Sequence, residues 1–170
     1  MFRNQAARHL GCLLDVDQDV ISWTCLPLML ERDSGVHIPD FLVEKGSGSI
    51  VMDAVEGREK SPALWIASEA AAHGYEYVAV PVDEIGSGFR LWNAVDLLRY
   101  SRWQCPLGDR IRLLAALDEH GTLSVADCFP AFQETRPIAG LSSLILNRFV
   151  EVDLDEALIG PETSVRRWRD

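Results

Sequence analysis

The sequence predicts a mixed α/β protein in two parts, with an α/β first half and a mostly helical second half. Its 170 residues are 48% hydrophobic and 25% charged, as in folded globular proteins, which excludes a disordered or low-complexity chain. In the first half a helical segment lies between two extended runs, and such a crossover usually joins parallel strands. In the second half helical patterns predominate. We therefore expect a mixed sheet flanked by helices, followed by a small helical domain.

The first half predicts a helix, three meandering strands, a second helix and a further strand. The Gly46-Ser47-Gly48-Ser49 segment favours a tight turn over a phosphate-binding loop, because a strand and not a helix follows it. Gly74 is the expected end of the second helix. In chain order the expected elements are a helix at 3–14, extended runs at 20–30 and 36–43, a strand at 50–55, a helix at 62–73 and a strand at 75–82.

The second half predicts four helices and one strand. We expect Asp109 to be the N-cap of the second of these helices and Gly121 to follow its end. The expected helices span 91–102, 109–120, 124–132 and 140–148, and the strand spans 149–154. Three helices followed by a strand is the order of a winged-helix domain. The Gly86-Ser87-Gly88 segment marks the boundary, so the expected domains are 1–88 and 89–170.

The net charge of −10 is unevenly distributed. Residues 1–85 contain six basic and fourteen acidic side chains, whereas residues 86–170 contain ten arginines against twelve acidic side chains. Because an acidic surface repels phosphate, we expect any phosphate-facing surface in the second half. The sequence contains no apolar run of membrane-spanning length and no secretory signal pattern, so we expect a cytoplasmic protein with no membrane partner.

Two aspartates lie thirteen residues apart on neighbouring predicted strands, Asp40 in HIPDFLV and Asp53 in IVMDAV. Two carboxylates that converge from adjacent strands can hold Mg²⁺ together with water and a substrate phosphate. A hydrolytic site of this kind normally adds a lysine that positions or activates the attacking water. The alternative is that Asp40 only caps local amides at the start of a strand. The neighbouring His37 either assists a metal or water, or is a half-exposed strand residue.

Several segments together resemble the TnsA-like endonuclease subunit of heteromeric transposases, within the PD-(D/E)xK nuclease superfamily. The stretch LLDVDQDVISWTCLPLML is similar to that family's lead into the sheet, IPDFLV to its PDF strand and HGYEYVAVPVDEI to its last core strand. FRLWNAVDLLRYSR and the winged-helix-like tail match the order of its second domain. The resemblance covers most of the chain. It implies a restriction-endonuclease-like sheet, Mg²⁺ at Asp40 and Asp53, and double-stranded DNA and a transposase or other DNA-processing protein as partners.

The chain departs from the family pattern at three positions. The family's glutamate on the first helix falls on Ala7, its strand lysine on Val55, and its glutamine before the proline on Leu26. Because alternate residues of a strand share a face, Val55 places an apolar group beside Asp53 where the reaction needs an ammonium.

Two lysines and one glutamate are candidates for migrated catalytic groups. Lys45 and Lys60 are the only lysines of the chain, and Glu69 lies on the second predicted helix. The hypothesis that the sequence favours is a catalytically degenerate TnsA-like protein that binds DNA or a DNA-handling partner, with a homodimer as a further expectation. The alternatives are an active Mg²⁺-dependent endonuclease with migrated groups, and an acidic protein-interaction adaptor without affinity for nucleic acid.

Candidate DNA-contacting residues lie in the second half. Arginines clamp phosphates, and neighbouring aromatic rings can stack on bases. The alternatives are an amphipathic helix packed inside the protein around residue 100, and a solvated chain end after residue 165. The candidates are Arg99, Arg102, Arg110, Arg112, Asn147, Arg148, Arg166 and Arg167, with Ser142 and Ser143 as further polar groups.

Overall fold

The computed structural model describes residues 1–32, 35–56 and 64–169. The chain divides into two compact units, Met1–Ser87 and Gly88–Asp170. The first is a mixed sheet flanked by helices, and the second is mostly helical with a small sheet. Within the described ranges every helix is too short or too polar to cross a lipid bilayer.

The first unit contains a four-stranded mixed sheet in the order β1-β4-β5-β6. Strands β1, β4 and β5 are antiparallel neighbours, and β5 and β6 are parallel. The parallel pair expected from the crossover is therefore confirmed, and β2 and β3 form a separate antiparallel pair. The elements are α1 (Gln5–Val16), β1 (Val20–Cys25), β2 (Leu30–Arg32), β3 (Gly35–His37), β4 (Phe41–Lys45), β5 (Gly48–Val55), α2 (Leu64–Ala72), β6 (Glu76–Pro81) and α3 (Val82–Ile85).

The two extended runs predicted at 20–30 and 36–43 are each divided into two strands. The first is interrupted at Leu26, whose positive φ of 47° turns the chain ahead of Pro27. The second is interrupted around Pro39, which has no N–H to contribute to a ladder. As a result His37 lies on β3 of the small hairpin, and not on the same strand as Asp40.

Each face of the first sheet carries apolar side chains that pack against a helix. One face carries Phe41 and Val43 and packs against the apolar stripe of α1. The other face carries Val51, which packs with Ile66 of α2. The expected helix end at Gly74 is confirmed by its positive φ of 83°, a conformation that glycine adopts without strain.

The second unit is a helical domain closed by a three-stranded antiparallel sheet in the order β7-β9-β8. Its core is built from aliphatic side chains of α5, α7 and the sheet, among them Leu113, Leu117, Leu144, Val150 and Val165. The elements are α4 (Arg90–Leu98), α5 (Leu107–His120), β7 (Thr122–Ser124), α6 (Val125–Cys128), a 3₁₀ turn (Phe129–Ala131), α7 (Pro137–Leu146), β8 (Val150–Val152) and β9 (Ser164–Arg167).

Two expectations for the second unit are wrong. Asp109 is not a helix N-cap, because α5 begins two residues earlier with Pro106 in that position. The segment that contains Arg166 and Arg167 is not a free end but strand β9, which pairs with both β7 and β8. This strand has little signal in the local sequence, since Val165 is the only apolar residue in SVRR.

Candidate functional site

The two aspartates of the predicted site come together across β4 and β5. The antiparallel register pairs Phe41 with Met52, so Asp40 and Asp53 are adjacent. The Asp40 amide donates a hydrogen bond to Asp53 Oδ1 (2.9 Å), and the Ala54 amide donates one to Asp40 Oδ2 (3.0 Å). Each carboxylate is 3% exposed. The pair is thus buried, and each side chain is bound to the backbone of the other strand.

Two aromatic side chains cover Asp53. His37 Nε2 lies 2.6 Å from Asp53 Oδ2, and the Tyr77 hydroxyl donates to the same oxygen at 2.7 Å. The two rings meet edge to face with centroids 6.5 Å apart. Burial, together with the hydrogen bond to Asp53, raises the pKa of the Tyr77 phenol above its ordinary value, so it stays a donor at neutral pH. Both oxygens of Asp53 are therefore occupied.

A guanidinium lies against the other aspartate. Arg3 Nε is 3.3 Å from Asp40 Oδ1, and the same guanidinium donates to the Ile38 carbonyl. Asp40 Oδ1 is fully buried and accepts no hydrogen bond from the described residues. Burial raises the pKa of the Asp40 carboxyl above its ordinary value, while the Ala54 amide and the charge of Arg3 act in the opposite direction. Arg3 thus faces the one carboxylate oxygen of the pair that lacks a hydrogen-bond donor.

The two positions at which the resemblance predicted further catalytic groups, 7 and 55, are apolar. Ala7 is 1% exposed and belongs to the core beneath α1. Val55 ends β5, pairs with Pro81 in register and is half-buried. Neither side chain can bind a cation or exchange a proton.

Two of the three candidates for migrated groups are engaged away from the aspartates. Lys45, at the far end of β4 from Asp40, donates to Asp17 Oδ2 at 2.9 Å. Glu69 on α2 pairs with His73 of the next helical turn, at 3.5 Å. Lys60 lies outside the described residues.

The arrangement around Asp40 and Asp53 does not fit a resident Mg²⁺ ion. This cation requires about six oxygen ligands in near-octahedral geometry. Three of the four carboxylate oxygens already accept protein hydrogen bonds, and the fourth faces the positive charge of Arg3. Within residues 1–32, 35–56 and 64–169 no group of three His, Cys, Asp or Glu side chains is placed to hold a metal. The positive charge of Arg3 instead compensates the negative charge of Asp40 within the protein.

Several of the predicted DNA-contacting arginines are matched by carboxylates. Arg99 pairs with Asp96 at 3.2 Å and Arg166 with Glu151 at 3.6 Å. All four of these side chains are on the second unit, and Arg99 remains largely exposed. A further pair joins Arg167 to Asp118 across α5 and β9. These pairs lower the net positive charge that the surface can offer to phosphate.

The other candidates differ in how strongly they are held. Arg112 donates to the Ala131 carbonyl and to two carboxylates, so it links α5 to the loop before α7. The guanidinium of Arg110 lies 4.5 Å from the centre of the Phe149 ring, and that of Arg148 lies 5.9 Å from the centre of Trp168. Asn147 donates back to the Ser143 carbonyl at the end of α7. Arg102 is exposed and, within the described chain, forms no ion pair.

The apolar character of α7 leaves it few polar groups for reading bases. Ser142 and Ser143 are buried, and the Ser143 hydroxyl accepts from the Cys105 amide. They therefore do not face solvent, in contrast to the expectation from sequence. Only the ends of the helix, at Arg136 and at Asn147, are polar and exposed.

Sequence reasoning missed two members of the aspartate cluster, Arg3 and Tyr77. The position of Tyr77 could have been inferred, because β5 and β6 were expected to be parallel neighbours. In the observed register Asp53 pairs with Ala79, and Tyr77 lies two residues before Ala79 on the same strand. Such diagonal neighbours are within reach of an aromatic side chain. The position of Arg3 could not, since its contact with Asp40 spans 37 residues and depends on where α1 packs.

No protein-family model matches the chain, and no curated protein matches its sequence.

Proposed function

We propose that this protein is a catalytically degenerate nuclease-fold protein, similar to the TnsA-like endonuclease subunits, that acts in a DNA transaction by binding DNA or a DNA-processing partner. One observation carries the proposal. Asp40 and Asp53 converge from adjacent strands as in a metal-dependent nuclease, yet His37, Tyr77 and Arg3 close the pair. A nuclease site that keeps its two aspartates but lacks the strand lysine and the helix glutamate leaves a fold and a surface that can still bind DNA or a partner protein.

The architecture of each unit supports this reading. In the first unit the four-stranded sheet is built in the order helix, three strands, helix and strand, which is what the resemblance implies for the nuclease core. In the second unit α5, β7, α6, α7, β8 and β9 follow one another with β9 between the other two strands. That order is typical of winged-helix domains, which often bind DNA.

The experiment is duplex-DNA binding across a salt series, with and without Mg²⁺, with cleavage scored on the same samples. We expect binding that weakens as salt rises, because arginine contacts release counterions, and no cleavage. The double variant Arg99→Ala/Arg102→Ala should weaken binding to all sequences and reduce the salt slope by about one to two units. Arg8→Ala, an exposed arginine of the first unit, is the matched control.

Two outcomes contradict the proposal in different ways. Cleavage that requires Mg²⁺ and is lost in Asp40→Ala would show an active endonuclease, with the missing groups supplied elsewhere. Absence of any salt-sensitive binding to DNA or to a DNA-processing protein would remove the role in DNA transactions.

The second unit also favours a protein-interaction role as a second candidate. Several arginines among the described residues of this unit form ion pairs with carboxylates, and these pairs reduce the positive potential that would attract phosphate. Large apolar side chains are exposed on it instead, and apolar surface of this kind is typical of protein interfaces. They are Phe89, Trp92, Trp103, Leu107, Ile111, Ile138 and Leu158. Under this alternative, substitution of Leu107 and Ile111 by Ser would abolish partner capture and leave any DNA binding unchanged.

A further inference from the structure

A cavity of about 220 Å³ lies within the second unit, between α4 and α7. The lining residues Asn93, Leu97 and Ser142 are buried and form its bottom, whereas Asp96 and Ile138 are exposed and form its mouth. Pockets for small molecules typically measure about 300–1,000 Å³. The cavity is smaller than these and has the size of a single amino-acid side chain.

One polar group at the bottom of the cavity has no partner. Ser142 is 6% exposed, and within the described chain its hydroxyl forms no hydrogen bond, not even with the Ile138 carbonyl one turn earlier in α7. That carbonyl is the usual partner of a serine inside a helix. The neighbouring Asn93 amide is fully used, because it donates to two carbonyls and accepts from one amide of the loop between β8 and β9. The Ser142 hydroxyl can therefore bond a ligand that enters the cavity.

The walls of the cavity are apolar, and its mouth carries no net charge. Leu97, Ile138 and Ile159 contribute aliphatic side chains to the lining. At the mouth, Asp96 and Arg99 form an ion pair at 3.2 Å, so their charges compensate each other. A neutral mouth has little attraction for phosphate, and aliphatic walls favour an apolar group.

This lining matches the chemistry of a tyrosine side chain. A tyrosine has an apolar ring for the aliphatic walls and a hydroxyl at its tip, which normally finds a hydrogen-bond partner when it is buried. Tyrosine is also enriched at protein interfaces. Beside the cavity, Trp92 lies one turn before Asp96 on the same face of α4 and is 60% exposed, so apolar surface continues beyond the mouth.

We propose that this cavity receives a tyrosine side chain of a partner protein, with its ring between the aliphatic walls and its hydroxyl bonded to Ser142. An aromatic anchor that fills a pocket often supplies most of the binding energy of an interface. The inference rests on the proposed function only in requiring a partner protein. It does not depend on DNA binding, so the two can fail separately.

The test is a titration of the full chain, without DNA, with N-acetyltyrosinamide and N-acetylphenylalaninamide, followed by nuclear magnetic resonance. The tyrosine probe should bind with a dissociation constant of about 1 mM and shift the methyl signals of Leu97, Ile138 and Ile159. The phenylalanine probe should bind about fivefold more weakly, because it lacks the hydroxyl that bonds Ser142. Ser142→Ala should lose this preference for the tyrosine probe.

Three further variants assign the effect to the cavity. Ile138→Ser removes apolar surface at the exposed mouth and should weaken both probes by about fivefold. Ile111→Ser removes the same side chain from an equally exposed position outside the cavity and should bind both probes as wild type does. Ser143→Ala removes the neighbouring hydroxyl, which is bonded to the Cys105 amide, and should keep the preference for the tyrosine probe.

Three results would overturn the inference. Equal affinity of wild type for the two probes would show that Ser142 does not bond the ligand. Absence of shifts at the cavity with either probe would show that it does not accept a tyrosine side chain. Tighter binding of free tyrosine than of its blocked amide would indicate a site for a free amino acid and not for a segment of a protein.

Discussion

Replacement of Asp53 should destabilise the protein strongly, because this carboxylate is an acceptor at the centre of a buried cluster. Asp53→Ala removes the partner of three donors: the Asp40 amide, His37 and the Tyr77 hydroxyl. In an open catalytic site, replacing a functional carboxylate often raises the stability instead, because such carboxylates are held at the expense of stability. The stability of this variant therefore distinguishes a closed cluster from a working site.

The expected size follows from the donors left without a partner. A buried donor without an acceptor lowers the free energy of unfolding by about 1–3 kcal/mol. His37 is partly exposed and can turn to water, so the Asp40 amide and Tyr77 contribute most. Together they give a loss of about 2–6 kcal/mol for Asp53→Ala, a large part of the roughly 5–15 kcal/mol that stabilises a typical domain. Asp53→Asn should lose less, since its amide oxygen can still accept from Asp40.

The measurement is equilibrium unfolding in urea, with hydrogen exchange of the β4 and β5 amides to assign the transition to the first unit. Glu76→Ala, an exposed carboxylate beside Tyr77 on β6, is the control and should change stability by no more than about 0.5 kcal/mol. If Asp53→Ala unfolds within about 1 kcal/mol of wild type, the hydrogen bonds of the cluster contribute little net stability, and the argument for a closed structural site fails.

Two other predictions concern the second unit. The buried Asp109 carboxylate accepts from the amides of Gln133, Glu134 and Thr135 and from Arg112, and Asp109→Ala should lower the free energy of unfolding by about 3–5 kcal/mol. Burial alone would raise the pKa of Asp109, but these donors outweigh it and hold that pKa below its ordinary value. The stabilisation that the Asp109 carboxylate provides is therefore complete above the unfolded-state pKa of about 3.9 and is lost as pH falls towards the lower folded-state pKa. Urea unfolding at several acidic pH values should show this fall in stability for wild type. The profile of Asp109→Asn should be flatter. Gly140→Ala should destabilise the protein by about 1–3 kcal/mol in thermal unfolding, because the new Cβ would lie 2.5 Å from the Phe132 ring and 2.8 Å from Thr135. The control is Gly46→Ala, which should be neutral because no atom lies within 4 Å of the new Cβ. Equal melting temperatures for the two variants would show that position 140 is not overpacked.

Much of the fold was predictable from local sequence. The apolar stripe of α1, the glycines that end α2 and α5, and the β5–α2–β6 crossover each follow from a pattern within a few consecutive residues. Helix periodicity and the preference of glycine for helix ends are short-range effects, so they can be recognised without knowledge of the tertiary structure. The breaks within the two extended runs were not predicted, and the first of them lies at Leu26, whose positive φ of 47° is uncommon for leucine.

The aspartate pair was predictable in part. The spacing of Asp40 and Asp53 on adjacent strands predicted that they would converge, since a short antiparallel connection sets the register. The absence of Lys and Glu at positions 55 and 7 predicted an altered site. Among the groups that close the pair, Arg3 was not predictable, because its contact with Asp40 joins residues 37 positions apart.

The sequence by itself therefore determined the order of the main helices, the β5–α2–β6 crossover and the meeting of the two aspartates, but not the β2–β3 pair, α3 or β9. Only the tertiary structure decided what those aspartates contact: Arg3 from the chain start, His37 from the hairpin and Tyr77 from a parallel strand. It likewise converted Asp109 from an expected helix cap into the acceptor for a loop 24 residues away. The physical reason is the same in each case. A buried charge is satisfied by whichever donors packing brings within hydrogen-bond distance, and distance in space is not encoded in spacing along the chain.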